Sequence, residues 1–373
     1  MKLHDVVNGY RVVSSPTNNN GGKCIWAFAE KDGRDFFIKQ FLEPKRPRDD
    51  SPGSERSKAI RLSVCQEFED RHRGVMARLA PDMRGAGNLV LAEDFFFSGS
   101  TYYKVTARIE AAPLEQPQLL EPRQKSVLLR SLAVSVQLLH GIGIVHGDLK
   151  PANVLPQQNK DKALQIAKLI DFDDSYLSGN PPGPHDIAGD SLYGAPEWRR
   201  YVQEDPELAP THLTTAVDMF ALGLMTHYYL TGELPGYDRR FGSPADAVNA
   251  GQSLTLDSRL SSTVQGLVRA LTSVAPTARP RIAAFLNTLR DPDLCALRHP
   301  RPGTSRPATT PDPATVTAAA PANATAPVSR LRKNLTGRDG GPTAAPEPAA
   351  GTPAAESAAR VSRVRINLGD RRR

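Results

Sequence analysis

Two short segments of the sequence carry residue types that could transfer a phosphoryl group. They are HGDLKPANVL (146–155) and LIDFDD (169–174). This chemistry needs an acceptor for the proton of an attacking hydroxyl, a cation on the phosphate and oxygen ligands for magnesium. The two segments offer a candidate for each role: Asp148 for the proton, Lys150 for the phosphate, and Asn153 and Asp171 for magnesium.

Ten residues in register and a second motif about twenty residues later are hard to obtain by chance. They resemble the catalytic loop and metal-binding loop of eukaryotic-like (bacterial-type) serine/threonine protein kinases. Further matches follow in the family's order: Lys39 in FFIK, the activation-segment end GDSLYGAPEW (189–198), the helix aspartate Asp218, and Arg279 as partner of Glu197. The resemblance covers residues 8–290.

The resemblance implies a cleft between two lobes that binds ATP and Mg²⁺. Lys39 would orient the α- and β-phosphates, and the segment from Thr106 to Ile109 would form a hinge whose backbone contacts adenine. The other implied nucleotide-binding residues are Gly21, Gly22 and Leu155. Asp218 would brace the catalytic loop from beneath.

Lys39 also needs an acidic partner on the helix that packs against the sheet. Helical spacing separates the two candidates, because Glu69 shares the inward side with Met76 whereas Glu67 shares a face with Arg78. We prefer Glu69. The alternative, in which both carboxylates are solvated and the pairing residue is absent, stays open at this point.

Several positions depart from the family pattern near the catalytic segments. Gly147 stands where arginine is usual, so activation by phosphorylation of the activation segment is not expected. Asp173 stands where the metal-binding loop usually has glycine, and leaves Asp171 intact. Asp190 replaces a threonine and places a like charge near Asp148.

The nucleotide side of the pattern also departs. The stretch NNNGGKCIW keeps Gly21 and Gly22 but lacks other expected glycines, which predicts looser phosphate binding. Phe37 stands where alanine usually lies against adenine, and strand alternation points it to the same side as Lys39. The phenyl ring of Phe37 could fill the pocket that would hold adenine.

Composition excludes some classes of protein. Three distant cysteines give neither a disulfide framework nor paired metal-ligand spacing. No apolar stretch approaches the ~18 residues of a membrane span, so we expect a cytoplasmic protein without membrane contact. The net charge of +7 lies in the last part of the chain, where 13 Lys or Arg face five Asp or Glu from Arg298 onward. A nucleic-acid partner is therefore not expected.

Hydrophobic periodicity predicts a two-lobed α+β fold. Strand patterns in the first hundred residues predict a small antiparallel lobe (about 8–107), and helical patterns after it predict a larger, mainly helical lobe (about 108–295). Residues 297–373 are rich in Pro, Ala and Thr and predict a disordered basic tail. An Arg-rich decapeptide occurs twice in it, at 328–337 and 361–370, and is either a solvated charge cluster or a docking motif for a partner.

The sequence thus predicts an ATP-dependent serine/threonine protein kinase that acts on protein substrates. A pseudokinase scaffold with an occluded pocket is the main alternative, because of Phe37 and the depleted glycine loop. A small-molecule kinase is the second, since such enzymes share the HGD and IDFDD phrasing on the same core fold. The SLYGAPEW segment, which resembles a peptide-binding platform, argues against it.

Overall fold

The computed structural model describes residues 1–19, 22–48, 50, 52–79, 86–111, 114–159 and 164–298. They form a small antiparallel sheet lobe and a larger, mainly helical lobe, which confirms the predicted two-lobed α+β fold. Of the tail predicted over residues 297–373, residues 299–373 with both Arg-rich repeats lie outside the described residues, as does Gly21.

The small lobe is built on a six-stranded antiparallel sheet in the order β1-β2-β3-β4-β6-β5. Its strands are β1 (Val6–Val7), β2 (Tyr10–Val12), β3 (Cys24–Lys31), β4 (Arg34–Phe41), β5 (Ala92–Ser98) and β6 (Thr101–Ala107). Asp32 and Gly33 turn the β3–β4 hairpin, both with the positive φ that a tight two-residue turn requires. Along β4, Phe37 and Lys39 face the side opposite to the buried Ile38, as the alternation predicts.

One long helix, α1 (Glu55–Arg78), packs on this sheet. Ser54 begins it as an N-cap, because its hydroxyl accepts a hydrogen bond from a backbone N–H of the first turn. Phe68 and His72 on its packed face lie against each other, with ring centroids 4.2 Å apart, and Phe68 lies 5.1 Å from the ring of Tyr102 in β6. Aromatic packing therefore fixes the height of α1 on the sheet.

In the described residues of the large lobe, the α-helices are α2 (Pro122–Gly141), α3 (Pro196–Val202), α4 (Ala216–Thr231), α5 (Pro244–Asn249), α6 (Ser262–Leu271) and α7 (Ile282–Thr288). Helix α4 is buried almost along its whole length, and the inward face of α2 packs in the same core as α6 and α7. Among the helices of the described residues, none combines the length and apolarity that crossing a bilayer takes.

Four short strands sit where the large lobe meets the cleft: β7 (Ile144–Val145), β8 (Val154–Gln158), β9 (Gln165–Leu169) and β10 (Tyr176–Leu177). β7 pairs with β10 and β8 pairs with β9, both antiparallel. The loop from β7 to β8 and the loop from β9 to β10 are therefore neighbours. These loops contain the two segments that the sequence singled out.

A buried ion pair joins α3 to the segment before α7. Arg279 donates two parallel hydrogen bonds to Glu197, of 2.6 and 2.7 Å, and the two side chains are 0% and 3% exposed. Arg279 also donates to the backbone carbonyl of Ala216 at the start of α4. The pairing predicted from the sequence is confirmed, and it ties three elements of the large lobe together.

Removing one partner of this pair should destabilise the large lobe without touching the cleft. In Glu197→Gln the guanidinium of Arg279 stays buried without a counter-charge, so we expect the free energy of unfolding to fall by about 3–5 kcal/mol in urea titrations. Arg240→Met, which breaks an exposed pair with Asp238, is the control and should change it by less than about 1 kcal/mol. Equal small changes in both variants would contradict a structural role for the buried pair.

Candidate active site

The loop between β7 and β8 holds its polar side chains by contacts with one another. Asn153 ends a short 3₁₀ turn, Pro151–Asn153, and its side-chain amide donates 2.9 Å to the carboxylate of Asp148 and 2.8 Å to the Asp148 carbonyl. Lys150 lies 2.8 Å from the same carboxylate. Asp148 is buried, yet its charge is satisfied by an amide and an ammonium. The predicted base, cation and metal ligand thus share one cluster.

Asp218 of α4 supports this loop from below. Its carboxylate accepts hydrogen bonds from the backbone N–H of His146 at 2.8 Å and of Gly147 at 3.1 Å, and the His140 ring lies 3.0 Å away. Burial alone would raise the pKa of Asp218, but its contacts with His140 and His146 outweigh burial and lower it. A charged Asp218 therefore orients the loop backbone, as the resemblance implied.

Gly147 is required by the backbone at its position. Its φ is +82°, and a Cβ there would lie 2.6 Å from the backbone carbonyl oxygen of Asp174. Both facts disfavour a side chain. The loop that contains Gly147 therefore passes so close to the loop that contains Asp174 that no side chain, and so no arginine, has space at position 147.

Lys150 lies between two carboxylates. Its ammonium is 3.4 Å from Asp190 as well as 2.8 Å from Asp148. Asp190 also accepts backbone hydrogen bonds from Leu192 and Tyr193. Burial opposes the charge of Lys150, but Asp148 and Asp190 outweigh it and raise the pKa of the ammonium. The like charge expected near Asp148 is thus separated from it by a cation.

Asp171 follows β9 in a left-handed conformation, with a φ of +67°. Such a conformation is uncommon for a residue with a side chain and is found mostly where the surroundings enforce it. The backbone N–H of Ile170 donates 3.0 Å to the carbonyl of Asn153, which links the two loops beside the two predicted magnesium ligands. The carboxylate of Asp171 accepts 2.6 Å from Lys39.

Glu69 does not meet Lys39, and the preferred pairing is wrong in this structure. Glu69 does lie on the inward side of α1, but it accepts hydrogen bonds from Arg46 at 2.5 Å and from the Tyr102 hydroxyl at 2.6 Å. The residues at the end of α1 that line the cleft are Val75, Met76 and the C-cap residue Leu79. Glu69 therefore lies about two turns before the level of the cleft. The spacing identified the correct face but not the correct level.

Lys39 instead faces two carboxylates of the loop between β9 and β10. Its ammonium is 2.6 Å from Asp171 and 2.7 Å from Asp173. The second oxygen of Asp173 lies 2.7 Å from the ammonium of Lys104 in β6. Burial opposes the charge of Asp173, yet Lys104 and Lys39 together hold the pKa of its carboxyl well below the usual range.

The donors present fit a magnesium ion. The amide nitrogen of Asn153 is used by Asp148, which leaves its carbonyl oxygen as the ligand atom, and Asp171 offers a carboxylate. Carboxylates outnumber ammonium groups in the surrounding cluster: Asp148, Asp171, Asp173 and Asp174 against Lys39, Lys104 and Lys150. Burial, with Asp171 nearby, raises the pKa of Asp174 to about 7. A divalent cation would relieve this repulsion.

Aromatic and aliphatic side chains line the rest of the cleft, which has a volume of about 270 Å³. Phe37 lies in its wall beside Trp26, with ring centroids 5.2 Å apart, and Leu155 lines the side of the large lobe. The Phe37 ring thus narrows the cleft without closing it. Apolar walls with a polar end suit a flat heteroaromatic ring joined to phosphates.

The other predicted nucleotide-binding residues occupy different settings. Thr106 lines the cleft but is still in β6, where it pairs with Phe37. Ile109 lies beyond the strand, in the segment that leads to the large lobe, and also lines the cleft. Gly22 has a φ of +54° and open space around it. The backbone contact with adenine would therefore fall to residues after β6.

Sequence reasoning missed the Lys104–Asp173 contact. The signal was present, because Lys104 is a charged residue in the middle of the apolar strand TYYKVTA and Asp173 is a carboxylate at a glycine position. Each departs from its local pattern. Two opposite charges that each violate a pattern are candidates for pairing, although the sequence cannot bring them together without the fold.

Comparison with known proteins agrees with this geometry. The model of the Protein kinase domain matches residues 58–289, more than half of the chain. The chain is 29% identical over 199 residues to a "Probable myosin light chain kinase" of Dictyostelium discoideum. The aligned residues cover 52% of this chain and 61% of that protein.

Two further relatives are also named as kinases. The chain is 33% identical over 159 residues to the serine/threonine-protein kinase/endoribonuclease IRE1b of Arabidopsis thaliana (41% of this chain, 17% of that protein). It is 23% identical over 304 residues to MAP kinase-activated protein kinase 2 of Oryctolagus cuniculus (77% of this chain, 73% of that protein). The chain spans less than two thirds of the length of the first two relatives. With the family match over residues 58–289, the chain belongs to the protein kinase family.

Proposed function

We propose that this chain transfers the γ-phosphate of Mg-ATP to Ser or Thr hydroxyls of protein substrates, as a eukaryotic-like kinase of the bacterial type. The observation that carries the proposal is the cluster in which Asp148 contacts both Lys150 and Asn153, with Asp171 in the adjoining loop. It combines a base, a cation and magnesium ligands. One of the relatives is named a serine/threonine-protein kinase, which supports this class of acceptor.

The residues would divide the work as follows. Asp148 orients the acceptor hydroxyl and takes its proton, since its carboxylate is held by Asn153 in the loop that adjoins Asp171. Lys150, 2.8 Å away, stabilises the charge on the transferring phosphoryl group. Lys39 holds the inner phosphates. Bound magnesium, on Asn153 and Asp171, would neutralise phosphate charge.

Support for a protein substrate comes from the segment before α3. Gly189 and Gly194 pack on the indole of Trp198, where a Cβ at either position would lie less than 3 Å from the ring. The buried Glu197–Arg279 pair anchors the same helix. The segment before α3 is thus held in place by packing, and its Asp190 lies 3.4 Å from Lys150. Such a fixed surface suits an extended peptide and favours a protein over a small-molecule acceptor.

The limits of the catalytic domain are also part of this proposal. We propose a catalytic domain over residues 8–295, with a small lobe of about 8–107 and a large lobe of about 108–295. The last described helical turn, Pro292–Cys295, packs on α2 and buries Cys295, which supports this end point. Partners that dock on the Arg-rich repeats at 328–337 and 361–370 remain part of the proposal.

A pseudokinase scaffold is the second candidate. The aromatic wall formed by Phe37 and Trp26 favours it, together with the contact of Lys39 with Asp171, since a lysine bound to the metal ligand competes with magnesium. The intact set of Asp148, Asn153 and Asp171 opposes it, because a binding module has no chemical need for these residues.

Phosphoryl transfer tests the proposal directly. With Mg-ATP labelled at the γ-phosphate and a generic protein acceptor, Asp148→Asn and Asp171→Ala should each lower the rate at least ~100-fold, since they remove the base and a magnesium ligand. Asp70→Asn, an exposed carboxylate on α1, is the matched control and should keep the wild-type rate. Transfer to a small molecule but not to protein would refute the assignment of the acceptor.

Phe37→Ala separates the two candidates. If the ring is one wall of the adenine site, its loss should weaken the binding of Mg-ADP about 2- to 10-fold in calorimetry, because a ring contact is removed. If the ring occludes the site, the same variant should bind more tightly than the wild type. Tighter binding by Phe37→Ala would therefore favour the scaffold.

A further inference from the structure

Lys39 requires an anion that holds it and is not itself a magnesium ligand. Its side chain is 15% exposed and contacts Asp171 and Asp173. If Asp171 binds magnesium, its carboxylate is shared with the metal and cannot by itself hold the buried ammonium of Lys39. A lysine in such a site otherwise loses its charge or its position. The second contact, with Asp173, therefore decides where the Lys39 ammonium lies.

Helix α1 offers no replacement at the level of the cleft. Its cleft-lining residues are apolar, and Glu69 is committed to Arg46 and Tyr102. Arg46 is itself held in place, because its backbone N–H donates 2.9 Å to Ser100 and its guanidinium lies 4.5 Å from the ring of Phe97. Glu69 is thus fixed away from Lys39 by contacts within the small lobe.

His72 is a polar residue of α1 close enough to interact with Lys104 and Asp173, and it carries no charge to compete for them. Its ring is buried, and burial followed by the nearby Lys104 lowers its pKa to about 3. It packs flat on Phe95 with ring centroids 5.0 Å apart. The face of α1 that points at the cleft is therefore neutral.

The sheet itself creates a demand for an anion at this place. In the register of β4 and β6, Lys39 lies directly opposite Lys104. Like charges at directly opposed positions of an antiparallel pair repel and destabilise the sheet. Asp173 lies between them. One of its carboxylate oxygens is 2.7 Å from the ammonium of Lys39, the other is 2.7 Å from that of Lys104, and its side chain is only 13% exposed.

We propose that Asp173 is the positioning residue of Lys39, in the place of a helix glutamate, and that Lys104 is the counter-cation that balances it. Lys104 is 7% exposed and Asp173 bridges it to Lys39, so the three groups form one buried unit of two cations and an anion. The unit keeps Lys39 in place whether or not Asp171 is bound by metal. Its effect on ATP rests on the proposed function, whereas its effect on stability does not.

Nucleotide binding by single variants tests the positioning role. In calorimetry with Mg-ADP, Asp173→Asn should weaken binding by the folded protein about tenfold or more, because Lys39 loses its fixed partner. The KM for ATP should rise in parallel. Asp173→Glu, which keeps the charge, should recover part of the affinity, whereas a merely structural role would lower the folded fraction and leave the affinity unchanged.

Glu69→Gln is the competing test, and Asp70→Asn on the exposed side of α1 is the control. If Glu69 rotates to Lys39 when nucleotide binds, Glu69→Gln should lose the affinity and Asp173→Asn should keep it, which would overturn the proposal. We expect the reverse: a loss in Asp173→Asn, and a change of less than about threefold in Glu69→Gln.

Thermal unfolding without nucleotide tests the charge unit independently of function. Asp173→Asn leaves two ammonium groups face to face, so we expect its Tm to fall by about 5 °C or more. Adding Lys104→Met to this variant should restore part of the loss, because the repulsion is removed. Failure of the wild type to bind Mg-ADP would refute the proposed function but not this result. An unchanged Tm in Asp173→Asn would refute the unit.

Discussion

A buried charge is tolerated only beside an opposite charge or a sufficient set of hydrogen bonds, and the cleft of this kinase places several charges within a few ångströms of one another. Asp173 lies between Lys39 and Lys104, and Lys150 lies between Asp148 and Asp190. Each group is thus flanked by the opposite sign. The same low dielectric that penalises a lone charge strengthens these ion pairs. They therefore fix the positions of the charged side chains without a bound nucleotide.

The large lobe supplies the rigidity on which that geometry depends. Asp218 is charged, buried and hydrogen-bonded to the backbone of residues 146 and 147, so the loop between β7 and β8 is tied to α4, a helix buried almost along its whole length. The neighbouring loop is tied to it in turn through Ile170 and Asn153. A displacement of α4 would move both loops together. The side chains proposed for catalysis thus project from loops whose backbone is held in place.

Sequence patterns predicted most of the fold and part of the site because their signals are local. Alternation put Phe37 and Lys39 on one face of β4, and helical spacing put Glu69 on the inward side of α1. The level of α1 along the sheet is not a local property, since it depends on how Phe68 and His72 pack against the ring of Tyr102. The partner of Lys39 depends on that level, and the pairing with Glu69 was therefore wrong.

Two departures from the family pattern are each met by a neighbouring group. Gly147 lacks the side chain of an arginine, and the carbonyl of Asp174 occupies the space where that side chain would begin. Asp173 adds a carboxylate where glycine is usual, and this carboxylate lies between the ammonium groups of Lys39 and Lys104. Because each of these buried charges keeps a partner of opposite sign, Lys39 and Asp173 can both stay charged, and the proposed binding of phosphate requires a charged Lys39.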